Sequence, residues 1–213
     1  MSSGEFTAPA GIDGAASDAA PTPRQGRTFA GHVPGEVGVW VLILGDMTVF
    51  ALFFGVFMHY RDHAPALFRH SQATLNQTFG AVNTLLLLTS SLFVVLGVSA
   101  VRKRMRTVAP KLFLLALCCG LAFSVIKVLE YSAKARHGIG LNTNDFYMYY
   151  FILTGIHFFH LIIGMGVLVF LWRLSLKPDV GTKQIQYLEA GASYWHMVDL
   201  LWIVLFPLIY LVK

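Results

Sequence analysis

Long apolar stretches separated by short polar connections fill the chain from residue 37 to its end. A helix needs about 20 residues, at about 1.5 Å rise each, to cross a hydrocarbon core of ~30 Å. Five stretches meet that length: Val37–His59, Thr78–Val101, Lys111–Glu130, Phe146–Trp172 and Ala190–Leu211. The connections between them contain prolines and glycines, which favour turns. The pattern predicts an all-α, polytopic membrane protein, a bundle of five transmembrane helices.

The first 33 residues differ in composition from the rest of the chain. They are rich in Ala, Gly, Ser, Pro and Thr and contain almost no large aliphatic side chains. Such a segment cannot bury enough apolar surface to offset the entropy that it loses on ordering. We therefore predict a disordered tail over residues 1–33 and a five-helix domain over residues 34–213.

Composition and charge agree with a membrane protein. Hydrophobic residues make up 56% of the chain and charged residues 13%, and the mean hydropathy is +0.63. A soluble domain usually has a charged share of about 25%. The net charge of +5 could indicate a nucleic-acid partner. Basic loops beside membrane spans account for it better, because they orient the spans in the bilayer. We expect no nucleic-acid partner.

The basic residues are unevenly divided between the two sides of the predicted bundle. The tail, the second connection and the fourth connection together have ten Lys and Arg residues, whereas the opposite side has five. Loops that stay in the cytoplasm have the excess of Lys and Arg. This asymmetry predicts a cytoplasmic N-terminus and a C-terminus outside the cell.

Five ionisable residues lie deep within three of the spans: Asp46 in the first, His157 and His160 in the fourth, and His196 and Asp199 in the fifth. Such a side chain at the centre of a bilayer costs at least about 2.5–3.5 kcal/mol on insertion scales. Counting from the ends of the spans places all five in the middle or inner part of the membrane. A spacing of three residues puts each pair on one helix face. We predict a buried hydrogen-bonded network that joins these three spans.

Other residues in the spans have simpler interpretations. Lys127, near the outer end of the third span, is expected to extend its amine to the membrane surface, which the shorter Glu130 is less able to do. Tyr194 and Trp195 begin the fifth span, where aromatic side chains commonly anchor a helix at the membrane–water interface. Gly164 continues the histidine face of the fourth span and would permit close helix contact.

The residues alone leave several functions open. The motif "HFFH" with nearby carboxylates could hold a metal, but there is no Glu-x-x-His pair and no Cys ligand, so we expect none. His157 and His196 could ligate a haem from facing helices. A proton or ion transporter would also use ionisable residues in spans, although transporters usually have repeats and broken helices. The remaining interpretation is a polar network that fixes helix packing in a subunit of a larger assembly.

Four motifs resemble one known family, in that family's order. The segment "YWHMVDLLWIVLFPLIYL" is similar to the terminal helix of subunit III of the haem–copper cytochrome c oxidases. "TGIHFFHLIIG", "VLEY" and "LILGDMTVFALFFGVFMHYR" resemble the family's other helices, and "VLEY" makes Glu130 a family-pattern residue. The resemblance covers about residues 32–213. Two positions depart from it, since Asp46 stands where the family usually has Glu and Lys127 where it more often has a neutral polar residue.

The resemblance implies a function as well as a fold. It implies a non-catalytic accessory subunit with no haem or copper of its own, in the inner membrane of a bacterium. Subunits I and II would be its partners, with haem and copper held in partner subunits. The chain would bind phospholipids and support assembly and proton uptake of the catalytic subunit in aerobic electron transport. The five spans correspond to the family's last five, as in shorter bacterial forms. A small accessory protein of bacterial nitric oxide reductase has similar helices and is the alternative.

We predict that Asp199→Asn weakens packing or assembly more than turnover. The substitution leaves a buried imidazole with a poorer partner, which costs about 1–3 kcal/mol. Thermal stability in detergent and co-purification with the partner subunits measure the effect. Unchanged stability together with unchanged co-purification would contradict the prediction.

Overall fold

The computed structural model describes residues 37–73, 75–177 and 180–211. Within those ranges the chain forms six α-helices, and no strand is present. They are α1 (Val37–His63), α2 (Pro65–Ala73), α3 (Gln77–Arg102), α4 (Ala109–Arg136), α5 (Asp145–Ser175) and α6 (Thr182–Phe206). A short π-helix, Pro207–Leu211, continues α6. The tail predicted over residues 1–33 lies outside the described residues.

The five predicted spans are confirmed as helices. Among the described residues, α1, α3, α4, α5 and α6 with its π-helical extension are long and apolar enough to cross a membrane. The helices extend beyond the predicted apolar stretches, because the polar residues at their ends continue the helical pattern of backbone hydrogen bonds. The helix α6, for example, begins at Thr182, eight residues before the predicted start at Ala190.

The first connection contains a helix that the sequence pattern did not predict. We interpreted Pro65 as a residue of a turn, but it is the first residue of α2. Proline suits that position because the first N–H of a helix has no partner within the helix. The aromatic ring of Phe68 fixes α2 to the bundle, with its centroid 5.5 Å from Phe57 of α1 and 5.6 Å from Phe146 of α5.

The helices α4, α5 and α6 meet around the indole of Trp195. This side chain is completely buried. A Cβ atom added to Gly164 of α5 would lie 2.9 Å from it, and one added to Gly120 of α4 would lie 3.0 Å from it. The contact predicted for Gly164 is therefore present. Two glycines make room for the ring of Trp195 inside the bundle, so it packs between helices, and its position at the membrane interface stays a prediction. Tyr194 is half-buried, and its hydroxyl donates to the carbonyl of His160 over 3.4 Å.

The first helix packs at the edge of the bundle. It contacts α5 and α2 through the buried rings of Phe50 and Phe57. Much of its remaining apolar surface is exposed, including Val41, Leu44 and Leu52, each about two-thirds exposed. Because these side chains are apolar, lipid chains or another apolar membrane protein are suitable neighbours for this face.

We expect Gly164→Ala to destabilise the protein. The new methyl group would overlap the enclosed ring of Trp195, and overpacking of this kind typically costs about 1–3 kcal/mol. The midpoint of thermal unfolding in detergent measures the loss. The matched control is Gly166→Ala on the same helix, where an added Cβ meets no atom within 4 Å. Alanine forms helix better than glycine, so the control should be neutral or stabilising. Equal midpoints for the two variants would contradict the packing argument.

Candidate functional site

Asp46 of α1 and His160 of α5 form a polar contact between two helices. The Nε2 atom of His160 lies 3.2 Å from the Oδ2 atom of Asp46. The side chains are only partly buried, with 15% of His160 and 27% of Asp46 exposed. The sequence predicted that these two residues belong together, and the structure places them in direct contact.

The other nitrogen of His160 determines where the protons in this contact lie. Nδ1 is 2.8 Å from the backbone carbonyl of Ile156. A carbonyl can only accept a hydrogen bond, so Nδ1 must donate, and in a neutral ring Nε2 then has no hydrogen. A hydrogen bond between Nε2 and the Asp46 carboxyl group therefore needs one further proton, on either partner. Gain or loss of a single proton would therefore make or break a hydrogen bond at this contact.

His196 and Asp199 lie in a second, separate group that includes a residue of α3. The hydroxyl oxygen of Ser91 is 2.6 Å from Nδ1 of His196. Asp199 is buried, and its Oδ1 atom has no hydrogen-bond partner among the described residues. Ser91 therefore connects α3 to His196, one of the two residues that the three-residue spacing had placed on one face of the helix. The sequence analysis did not assign α3 to the polar network.

His157 belongs to neither group. It is fully buried, and neither ring nitrogen has a hydrogen-bond partner among the described residues. Its ring lies 5.2 Å from Trp202 and 5.9 Å from Phe123, measured between centroids. The single five-residue network predicted from the sequence is therefore corrected to two polar groups and one imidazole packed among aromatic rings. Residues three apart lie on one side of a helix but are still rotated by about 60° from each other, so His157 and His160 can face different neighbours.

A buried polar group formed by Lys127 and Glu130 is one that the sequence interpretation missed. Lys127 is 1% exposed, and its Nζ atom lies 2.9 Å from Oε2 of Glu130 and 3.0 Å from the hydroxyl of Tyr210. The predicted extension of Lys127 to the membrane surface is wrong. An internal carboxylate within reach removes the need for the side chain to find water. The three-residue spacing of Lys127 and Glu130 was the available signal, since it allows a salt bridge on one helix face.

Three helical elements supply the partners of Glu130. The hydroxyls of Tyr150 in α5 and Tyr210 in the π-helix each donate to its Oε1 atom over 2.8 Å. The amine of Lys127 also lies 4.6 Å from the centre of the Trp202 ring, a distance at which a cation is attracted to the π-electrons. Both charges thus have a counter-charge and hydrogen-bond partners within the chain, as burial of an ion pair requires.

The π-helix at the end of the chain positions Tyr210. It begins at Pro207, which has no N–H to donate to the preceding turn of α6. The side-chain amide of Gln77, at the start of α3, donates to the backbone carbonyl of Tyr210 over 3.1 Å. The π-helical turn is therefore fixed at two groups of Tyr210. Gln77 binds its backbone carbonyl, and Glu130 accepts a hydrogen bond from its phenol hydroxyl.

Together these features define a multi-pass helical membrane protein that pairs several of the ionisable groups in its spans internally. A family model described as cytochrome c oxidase subunit III matches residues 26–213. The chain belongs to the cytochrome c oxidase subunit III family. It is therefore a non-catalytic accessory subunit of a haem–copper oxidase complex and works with other oxidase subunits.

Individual relatives agree with the family assignment. The cytochrome c oxidase subunit 3 of Synechocystis sp. is 31% identical over 193 residues, which cover 89% of this chain and 81% of the relative. The cytochrome bo(3) ubiquinol oxidase subunit 3 of Buchnera aphidicola subsp. Schizaphis graminum is 27% identical over 178 residues, covering 82% and 92%. The heme-copper oxidase subunit I+III of Aeropyrum pernix is 24% identical over 202 residues, covering 86% of this chain and 25% of the relative. These names support the oxidase over the nitric oxide reductase alternative.

We predict strong energetic coupling between Lys127 and Glu130. Either Lys127→Met or Glu130→Gln leaves one buried charge without its counter-ion, which costs about 3–5 kcal/mol. The double variant removes both charges and should recover a large part of that loss. Thermal unfolding of the four proteins in detergent completes the double-mutant cycle.

A lysine on the same helix provides the control for this cycle. Lys111 is exposed, so Lys111→Met should leave the unfolding midpoint nearly unchanged. Additive losses in the cycle, with no recovery in the double variant, would show that the two side chains do not depend on each other.

Proposed function

We propose that this chain packs against subunit I of a haem–copper oxidase in a bacterial inner membrane, in a complex that also contains subunit II. In this proposal the N-terminus is cytoplasmic, and the haem and copper lie in partner subunits. The chain itself supplies no redox centre. It supports assembly of the complex, holds phospholipid, and assists proton uptake by the catalytic subunit during aerobic electron transport.

The exposed apolar face of α1 supports the proposed docking. Val41, Leu44 and Leu52 lie on a helix that packs only at the edge of the bundle. The Aeropyrum pernix relative is named as subunit I and subunit III together, so those two subunits are joined in that protein. A covalently joined pair is most simply accommodated when the two parts pack side by side. We assign the corresponding neighbour of this chain to subunit I on that basis.

The Asp46–His160 contact is the observation on which the proposed role in proton uptake depends. It brings a carboxyl group and an imidazole, two groups able to take up and release protons, into contact within a membrane span, and both side chains are partly exposed at the surface of the chain. A fully enclosed pair could not exchange a proton with a neighbouring subunit. This pair can, because it lies where the edge helix α1 meets α5.

A cavity of about 500 Å³ supports the proposed binding of phospholipid. It lies between the start of α3 and the end of α4, and most of its lining is apolar. Its polar lining includes Glu130, Lys134 and His137. An apolar groove with charged groups near one end matches the division of a phospholipid into acyl chains and a charged headgroup.

The test compares oxidase complexes that contain Asp46→Asn, Asp46→Glu or the wild-type chain. The amide of Asn cannot take up or release a proton, so oxygen consumption and proton uptake should fall. The difference should grow as the pH rises, because fewer protons are then available from solution. The carboxyl group of Glu should retain most of the wild-type rate. Asp62→Asn, an exposed position on the same helix, is the control and should match the wild type.

Two outcomes of this experiment would contradict separate parts of the proposal. If a tagged wild-type chain brings no haem-containing partner out of native membranes, the docking to subunit I is wrong. If the Asp46→Asn complex assembles fully and matches the wild type at every pH, the role in proton uptake is wrong while the docking stands.

A further inference from the structure

A groove runs between α3 and α6, from near one end of the bundle toward its middle. It has a volume of about 270 Å³. Both helices are described along their whole length, and all the residues that line the groove belong to them. Three of these residues are apolar and five are polar: Val95, Val98 and Ala192, and then Ser99, Arg102, Glu189, Ser193 and His196. We call this feature the α3–α6 groove.

An ion pair lies at the end of the α3–α6 groove that is nearest to the end of the bundle. Arg102 is in the last turn of α3, and its guanidinium forms a salt bridge with Glu189 of α6. More than half of the Arg102 side chain is exposed, whereas Glu189 is buried. The pair therefore extends from the surface of the chain into the groove. In the orientation that we propose, this end of the bundle is cytoplasmic.

Polar groups continue from this ion pair toward the middle of the bundle. On α6, Ser193 and His196 follow Glu189 by four and seven residues, so the three residues share one helix face. On α3, Ser99 lies one turn before Arg102. At a rise of 1.5 Å per residue, His196 is about 10 Å along the helix axis from Glu189. The groove thus has hydrogen-bonding groups along its length.

The imidazole of His196 ends this row of polar groups. Its Nδ1 atom is 2.6 Å from the hydroxyl oxygen of Ser91. Its Nε2 atom has no hydrogen-bond partner among the described residues, although the ring lines the groove. The hydroxyls of Ser99 and Ser193 also have no partner in the described part of the chain. Three polar groups in the groove are therefore available to a ligand that forms hydrogen bonds.

The lining favours water over a lipid chain. A hydrocarbon chain forms no hydrogen bonds, so it would leave the two hydroxyls and the imidazole nitrogen unpaired. Water donates and accepts, and the volume of the groove holds several molecules at about 30 Å³ each. Exposed positions elsewhere on α3 and α6 include Leu92, Leu96 and Leu200, which suit contact with lipid. The polar lining therefore distinguishes the groove from the lipid-facing surface of the same helices.

We propose that water fills the α3–α6 groove as far as His196, and that this imidazole exchanges protons with the solution at that end of the bundle. Histidine suits this role because it gains and loses a proton near neutral pH. His196 is then a second proton-exchanging group, separate from the Asp46–His160 pair between α1 and α5. Entry of water is a property of this chain and does not require the oxidase partner. The inference and the proposed function can therefore fail separately.

The first test measures hydrogen exchange at the histidine rings of the wild-type chain in liposomes. The hydrogen on the ring carbon between the two nitrogens exchanges with deuterium where water reaches the ring, and tandem mass spectrometry resolves each histidine. His196 should exchange at least about tenfold faster than His157. His157 is fully buried and is the control within the same chain. Equal exchange at the two rings would show that the groove excludes water, and would overturn the proposal.

The second test places a cysteine in the groove and applies a charged thiol reagent. Cys118 and Cys119, the two cysteines of the chain, are first replaced by alanine. A thiol reacts as its thiolate, which forms in water and not among lipid chains. Ser193→Cys should therefore react with a trimethylammonium methanethiosulfonate at least about tenfold faster than Leu96→Cys, which is at an exposed apolar position. Ser99→Cys, on the opposite wall of the groove, should react as Ser193→Cys does.

The conditions of this test exclude other causes of slow labelling. The liposomes are made permeable to the reagent, so that it reaches both sides of the membrane. Complete labelling of every variant after denaturation shows that each thiol is able to react. If both groove cysteines react as slowly as Leu96→Cys in the folded chain, a lipid chain occupies the groove and the proposal is wrong.

A further pair of variants tests the path of the reagent. In the Ser193→Cys chain, Ser99→Leu removes a hydroxyl and narrows the groove, so labelling should slow at least about tenfold. Thr89→Leu introduces the same side chain at an exposed position of α3 outside the groove, and the rate should stay within about twofold. An equal effect of the two leucines would show that the reagent does not pass Ser99, and the proposed path along the groove would be wrong.

Discussion

A charge within a membrane span must find its counter-charge inside the protein, and this constraint organises the bundle. Lipid chains provide no hydrogen bonds, so an unpaired ammonium or carboxylate there is very costly. Lys127 and Glu130 meet the constraint on one helix, but the carboxylate also needs donors from elsewhere. Tyr150 of α5 and Tyr210 of the π-helix supply them. One ion pair therefore ties together α4, α5 and the end of the chain.

The polar groups of the spans differ in how far they are enclosed. An enclosed group can fix the packing of helices, whereas a partly exposed group can exchange protons with a neighbouring subunit. The Lys127–Glu130 pair is almost fully buried and its carboxylate accepts hydrogen bonds from two tyrosines, which makes it suited to fixing the positions of helices. The Asp46–His160 pair is more exposed. An exposed pair contributes less to packing and is open to a neighbouring subunit. The edge position of α1 is thus consistent with a contact surface in the oxidase complex.

The two ends of the bundle have different chemical characters. At one end, α3 and α4 border a largely apolar cavity with a few charged groups. At the other end, their connection brings arginines to a smaller cavity and places Arg104 where a glycine would be less strained. The orienting excess of Lys and Arg and the convergence of some of them are separate properties. The excess depends only on how many Lys and Arg residues the connections contain. The convergence depends on how the connections fold.

The five spans could be predicted from the amino-acid sequence alone, because the length of an apolar stretch is a local property that decides whether it can cross a membrane. The contact at Gly164 was also predictable, since a small residue on a helix face permits close approach. The burial of Lys127, the contact of Ser91 with His196 and the packing of His157 among aromatic rings could be seen only in the folded bundle. These outcomes depend on how each helix is rotated toward its neighbours. The rotation of each helix is set by packing between side chains that are far apart in the chain. The hydrophobic periodicity of a single segment therefore cannot predict it.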